Sequence, residues 1–461
     1  MNNQSKKMEL LGSASIPKAL LSMGIPTMIG MLVNALYNLV DAYFVGGLGE
    51  SQMGAISVVY PLGQVVVGLG LLFGNGAASY ISRLLGRGDK ENANKVASTA
   101  LYSSVSVGAV IIIISMVFLH PILKLLGATD SILPFAATYA SVYIVSCIFN
   151  VFNVTMNNIV TSEGAAKTTM CALLTGAVLN IALDPLFIYV FDLGVAGAAI
   201  ATAISQVVST CVYLIYILRK KSVFHFRVKD CTYTKENMSE IFKIGIPTLV
   251  FQILTSVSIS LINNAAGDYG DSAIAGMGVV TRLISMGSLS VFGFIKGFQP
   301  IAGYSYGAKK FDRLREAIKT SILWSTVFCV IFGVILALFP AAIVSRFTKG
   351  DAEMIRIGAA SLRANGISIM LFGFYTVYSS LFLALGKGRE GFILGACRQG
   401  ICFIPVILLL PIVWGLNGIM YAQPIADMLS AVITVFMAIP LHKKLNEMQK
   451  QTAAISTNDN N

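Results

Sequence analysis

The chain has 461 residues, of which 56% are hydrophobic and only 12% charged, with a mean hydropathy of +0.76 and a formal net charge of +11. A soluble domain carries about 25% charged residues, so a water-soluble enzyme or binding module is excluded as the main body. The apolar residues fall in repeated runs long enough to cross a bilayer, which takes roughly 20 residues as a helix. Lipid offers the backbone no hydrogen bonds, and these runs are too long and too uniformly apolar for barrel strands, so they predict helices.

Twelve spans are predicted, at about 18–46, 52–82, 96–119, 132–160, 167–191, 195–218, 238–266, 272–304, 315–343, 353–384, 390–413 and 417–441. Ahead of the first stand Lys6 and Lys7, without a short apolar core and a small-residue cleavage site after it. The first span therefore reads as retained rather than as a signal peptide. With the N-terminus placed inside, the cytoplasmic segments and their span edges hold 25 of the 33 Lys and Arg, and the opposite loops hold four. That bias predicts both termini in the cytoplasm and a location in the cytoplasmic membrane. It also accounts for the positive charge through topology and anionic lipid, not nucleic acid.

The chain reads as a duplication. "GIPT" at 24–27 recurs at 245–248, "GESQMGA" at 49–55 recurs as "GDSAIAG" at 270–276, and "GVAG" at 194–197 recurs as "GLNG" at 415–418. Each pair is 221 residues apart. Six spans per half is an even number, so both halves enter the membrane from the same side. The expected architecture is all-α, with an N-lobe at 1–218, a basic connecting loop at 219–237 and a C-lobe at 238–445. A polar tail at 446–461 is expected to be disordered. Parallel repeats of this kind place a substrate site near mid-membrane and alternate access by rocking one lobe against the other.

Three acidic residues fall clearly within spans: Asp41, Asp184 and Asp427. A charge at a helix centre costs about 2.5–3.5 kcal/mol on insertion scales, so such groups face the protein interior. Asn34, Asn38 and Asp41, at i, i+4 and i+7, share one face of the first span. Asn180 and Asp184 share a face of the fifth. Pro185 follows at once, and its missing amide and its clash with the Ile181 carbonyl predict a kink beside the acid. Counting 221 residues onward from Asp41 gives Ile262, and from Asp184 gives Pro405, or Val406 with a one-residue gap. A purely architectural acid would be mirrored in both halves, so the asymmetry favours a cation site confined to the N-lobe. Asp427, with Gln423 one turn away, suits a helix-packing role equally well.

These halves, "PTMIGMLVNALYNLVDAYFVGGLGE" and above all "NIALDPLFIYVFDLGVAGAAIATAISQ" resemble the multidrug and toxin extrusion (MATE) family, and within it the bacterial DinF-like and MepA-like branch. The resemblance runs from about residue 15 to 442. It implies a fold of twelve transmembrane helices in two six-helix lobes related by a pseudo-two-fold axis. It implies a secondary active antiporter that exports lipophilic, often cationic compounds in exchange for Na⁺ or H⁺. The coupling role is carried onto Asp41, Asn180, Asp184 and Thr202, and helix bending onto Pro26. The second-lobe acid of the NorM-like branch has no match in the seventh span, where the nearest polar residue is Gln252. Asp427 and Arg398 resemble polar features of the MepA-like branch.

Two carboxylates, an amide and a hydroxyl are oxygen ligands of the kind hard cations prefer. The same carboxylates could instead carry a proton. Polar and aromatic candidates for the substrate cavity are Asn34, Tyr37, Asn38, Gln64, Gln252, Tyr375, Tyr378, Arg398 and Asp427. Expected partners are small lipophilic cations and membrane lipid, with no nucleic acid, no ATP-binding subunit and a monomeric assembly. No cofactor is expected beyond the coupling ion: seven scattered Cys and three distant His form no metal motif, and no G-x-x-x-x-G-K-[ST] pattern is present. Two other functions compete. A lipid-linked saccharide flippase would need a basic groove, for which Arg282, Lys296, Arg363 and Arg398 are available. An intramembrane enzyme would need a nucleophile–base pair that the sequence does not display.

Overall fold

The computed structural model describes residues 3–348 and 351–458. Twelve helices are long and apolar enough to cross a membrane: Ile16–Gly46, Ser51–Gly86, Lys90–Val117, Leu133–Ser162, Ala166–Val190, Gly194–Leu218, Lys235–Gly267, Ser272–Gly307, Phe311–Leu338, Ala352–Ala384, Gly388–Trp414 and Leu416–Gln451. They are spans one to twelve below. Every predicted span has its helix, with edges shifted by a few residues, and no strand occurs among the described residues.

The repeat is visible in turns that only glycine fits well. Gly49 and Gly270, 221 residues apart, both have positive φ, as do Gly194 and Gly415. A side chain there would be strained, which explains why these two turn sequences recur in both halves.

The same two-fold relation governs how the lobes meet. A methyl group added at Gly24 would strike Phe294, and one at Gly297 would strike the backbone at Gly24, where spans one and eight cross. The counterpart crossing of spans two and seven has Gly76 against Ile241 and Gly245 against Leu72. Farther along, Gly86 abuts Tyr304 and Gly307 abuts Arg83. Small residues allow helix backbones in a membrane to approach closely, where van der Waals contact is the main source of cohesion. Polar contacts reinforce the seam: Thr27 Oγ1 donates to Gly293 O at 2.6 Å, Asn75 Nδ2 to Thr248 Oγ1 at 2.9 Å, and Arg83 pairs with Glu240 at 2.6 Å. All lie in the half of the bundle that carries the two termini. Toward the other end, Gln252 Nε2 donating to Gln64 Oε1 at 2.7 Å is the last lobe-to-lobe hydrogen bond among the described residues.

Three segments lie outside the predicted spans, and one of them, the tail, differs from the sequence reading. Residues 3–12 form a short helix that packs Leu11 into the core. Its Lys7 reaches the buried Glu163, and Arg313 donates to the carbonyls of Leu10, Leu11 and Ala14. The connecting loop is docked, with Phe224 and Phe226 buried and Asp230 accepting from Asn94 Nδ2 at 2.7 Å. The expected disordered tail is helical through Asn458, and residues 459–461 lie outside the described ones. Its Lys, Gln, Glu, Met and Ala are good helix formers, and Asn446 and Gln449 bond to Arg315 and Asp312.

Because Gly297 sits against the Gly24 backbone, Gly297→Leu is expected to destabilise the protein by at least about 1–3 kcal/mol, the cost of an overpacked contact, and so to lower its thermal midpoint in detergent. Gly46→Ala, with open space around it, should melt like the native protein.

Candidate functional site

Span five carries Asn180 and Asp184, both buried, one turn apart on one face. Asn180 Nδ2 donates to Asp184 Oδ1 at 3.2 Å and lies 3.5 Å from Thr202 Oγ1 of span six. The helix changes character immediately after the acid. Pro185 is followed by a wide π turn over Leu186–Val190, in which the Phe191 amide donates to Leu186 O at 2.9 Å. The predicted disturbance at Pro185 is thus absorbed by a π turn, a local form that concentrates at functional sites. Asp41 of span one is close enough to Asp184 for their charges to interact, and Tyr37 is within electrostatic reach of both. The structure therefore brings together Asp41, Asn180, Asp184 and Thr202.

Three oxygens of this cluster, Asp41 Oδ1, Asn180 Oδ1 and Asp184 Oδ2, are buried and accept no hydrogen bond among the described residues. Buried acceptors are normally paired, so a group of orphans requires an explanation. A set of unclaimed carboxylate and amide oxygens beside a hydroxyl fits a hard cation, and equally fits a proton shared between carboxylates.

Other expected site residues are placed differently. Asn38 is exposed, and its amide donates back to Asn34 O at 2.8 Å and Asn34 Oδ1 at 3.1 Å. These bonds engage the Asn38 amide nitrogen and the Asn34 oxygens, and of the polar stripe on span one only Asp41 carries a buried oxygen without a donor among the described residues. The helix runs unbroken through Pro26, and the equivalent Pro247 lies inside span seven. Tyr139, which sequence reasoning passed over, is buried, senses the Asp41 charge and stacks on Tyr143 at 5.4 Å. One aromatic residue in a span rich in them gave no signal.

A second feature is a cavity of about 570 Å³, walled mainly by spans seven, eight, ten, eleven and twelve. Gln252 and Arg398 line it as expected, and Gln64 bonds to Gln252. Asn34, Tyr37 and Asn38 are not on its wall. Nor are Tyr375, Tyr378 and Asp427, which are buried behind it. Tyr378 Oη bonds to His442 Nε2 at 2.8 Å, and Tyr375 Oη donates to Asp427 Oδ1 at 3.4 Å. Their hydroxyls are occupied by packing partners, which removes them as cavity contacts in this state. Asp427 also accepts from Arg398 Nε at 3.0 Å, Gln423 Nε2 at 2.9 Å and Ser368 Oγ at 3.1 Å.

Removing one partner of this buried pair leaves the other uncompensated. Asp427→Leu is expected to destabilise by about 3–5 kcal/mol, and the double change Arg398→Met with Asp427→Leu should recover most of the loss in thermal melts.

Comparison with known proteins places this geometry. A family model described as MatE matches twice, over residues 26–186 and 247–409. The chain is 33% identical over 433 residues to a multidrug export protein, MepA, of Staphylococcus saprophyticus, covering 94% of this chain and 95% of that one. It is 32% identical over 429 residues to the MepA of Staphylococcus aureus, covering 93% and 94%. It superposes on a solved outward-facing structure of a multidrug resistance MATE family transporter with a TM-score of 0.90 and 27% identity, covering 96% of this chain and 99% of that one.

Proposed function

The chain belongs to the MatE family of multi-pass membrane transporters, and from that membership we propose that it exports lipophilic compounds in exchange for Na⁺ or H⁺. It is a transporter and not an enzyme. Relatives named multidrug export proteins support the export of drugs as a class. The observation that carries the coupling is the set of three orphan oxygens on Asp41, Asn180 and Asp184. Their counterparts in the C-lobe include the buried Ile262, so the ion site belongs to one lobe.

The mechanism is alternating access. A cation arriving from outside gives the orphan oxygens the partner the protein withholds. It thereby favours whichever arrangement of spans one, five and six brings those oxygens closest together. A ligand shifts a conformational equilibrium only through its different affinity for the two states. Span one carries both Asp41 and Pro26, and Pro26 leaves the Ser22 carbonyl without its helical donor. Ion binding at one end of this helix is thus linked to a bend at the other, where Gly24 meets Gly297 and Thr27 meets Gly293. Movement there loosens the seam between the lobes and changes which face of the membrane the cavity meets. The termini, on the positively charged side, face the cytoplasm, and the seam closes that side in this state.

The cavity wall is mostly apolar, which suits lipophilic cargo. Positive charge on a compound suits the acidic N-lobe cluster; the wall of the large cavity carries the opposite sign. A flippase for lipid-linked saccharides finds less support, because Arg282 and Arg363 are exposed and do not line the cavity.

In cells expressing the protein, ethidium efflux by Asp41→Asn and by Asp184→Asn should fall to the level of cells lacking it, with membrane abundance unchanged. Near-normal efflux in both variants would remove the coupling role.

A further inference from the structure

Arg398 is 6% exposed, yet it reaches the wall of the large cavity. It sits in a second π turn, Cys397–Ile401 of span eleven. Its guanidinium stacks on Phe372 at 4.5 Å. It touches Asp427 through Nε alone, and no protein acceptor takes a bond from either Nη among the described residues. A guanidinium whose purpose was to lock three helices would present its fork to the carboxylate in two parallel bonds. Here the remaining capacity of Asp427 is filled by Gln423, Ser368 and Tyr375 instead. The carboxylate thus holds the arginine by its stem side and leaves the four Nη hydrogens of the fork unclaimed.

The rest of the wall has the same polarity. Lys296 of span eight also lines the cavity, with its Nζ donating to Asn157 Oδ1 and no carboxylate in contact. The other polar lining groups are neutral, such as Gln252, Thr281 and Gln399, and no Asp or Glu lines the wall among the described residues. Apolar faces, among them Phe251 and Phe292, cover the remainder. N–H donors that open onto the cavity with no protein acceptor can take one from bound cargo. A planar fork matches the geometry of a carboxylate or phosphate oxyanion.

We propose that the Arg398 fork forms an oxyanion subsite in the C-lobe cavity, whose other basic lining residue is Lys296, so that the transporter takes lipophiles bearing a carboxylate or phosphate group. The lobes then divide the work by sign, with the cation held by the N-lobe acids and the anionic end of the cargo held by the C-lobe bases. The inference rests on the export reading above. Its test is equilibrium binding at fixed ionic composition, which remains readable if ion coupling through Asp41 and Asp184 fails.

The test measures fluorescence anisotropy of rhodamine B, a free carboxylate, and of its ethyl ester, on the purified full chain in detergent. The native protein should bind the free acid about tenfold more tightly than the ester, the scale of one hydrogen-bonded charge contact. The ratio of the two affinities should fall to about one in Arg398→Gln. Since that change strands Asp427, the double variant Arg398→Gln with Asp427→Asn removes both charges and should lose the preference as well. Lys296→Met should reduce it. Competition by dihexanoyl phosphatidate but not by naphthoate would assign the subsite to a lipid head. Competition by naphthoate would assign it to carboxylate solutes. Displacement by neither, equal native affinity for acid and ester, or a preference that survives the double variant would overturn the proposal.

Discussion

An oxygen acceptor buried in a membrane protein without a donor is among the least favourable groups a fold can keep. This chain keeps three together. The contrast between its two acidic sites makes the point with one residue type. Asp427 accepts from Arg398, Gln423, Ser368 and Tyr375. Among the described residues Asp184 accepts only from Asn180 on one oxygen, and its other oxygen has no donor. Asp427 is completed by the protein; Asp184 and Asp41 are not, and under the proposed coupling an exchanging ion would complete them. Transport by exchange requires that difference, because a site already satisfied internally gains nothing from an ion.

Under the proposed mechanism the two-fold repeat would supply the moving parts, and the departures from it the chemistry. Both lobes keep an inner proline, Pro26 and Pro247, and the glycines of the seam, Gly24 with Gly297 and Gly245 with Gly76. The glycines let the lobes pack closely at one end, and under the proposed mechanism the prolines would let either lobe's first helix bend. Charge breaks the symmetry. The N-lobe retains acids where the C-lobe has Ile262, and the C-lobe cavity is lined by Arg398 and Lys296. π turns follow the same pattern: each lobe has one in its fifth helix, but at different depths, beside Asp184 in one and at Arg398 in the other.

The architecture was legible because lipid forces every span into a long apolar run and because the 221-residue spacing survives in turns that need positive φ. The grouping of the N-lobe acids was legible because helical spacing and Pro185 are local, and the missing C-lobe partners can be counted; that it holds a cation is the proposal. The cavity was legible only in part. Tyr375, Tyr378 and Asp427 have the right chemistry and the right spans, but whether a hydroxyl faces a cavity or a neighbour depends on helix rotation, which one sequence does not encode locally. Asn34 and Asn38 satisfied each other for the same reason of local reach. The docked connecting loop and the N-terminal helix rest on contacts more than 130 residues distant, such as Asn94 with Asp230 and Lys7 with Glu163, and spacing carries no trace of these.

The central claim is that an ion bound at Asp41 and Asp184 drives export. The most direct measurement is dye flux in liposomes containing the purified protein, with a Na⁺ gradient and a pH gradient imposed separately. One of the two gradients should drive flux in the native protein, and the Asp184→Asn protein should respond to neither. Gradient-driven flux that persists unchanged in Asp184→Asn, or native flux indifferent to both gradients, would contradict it.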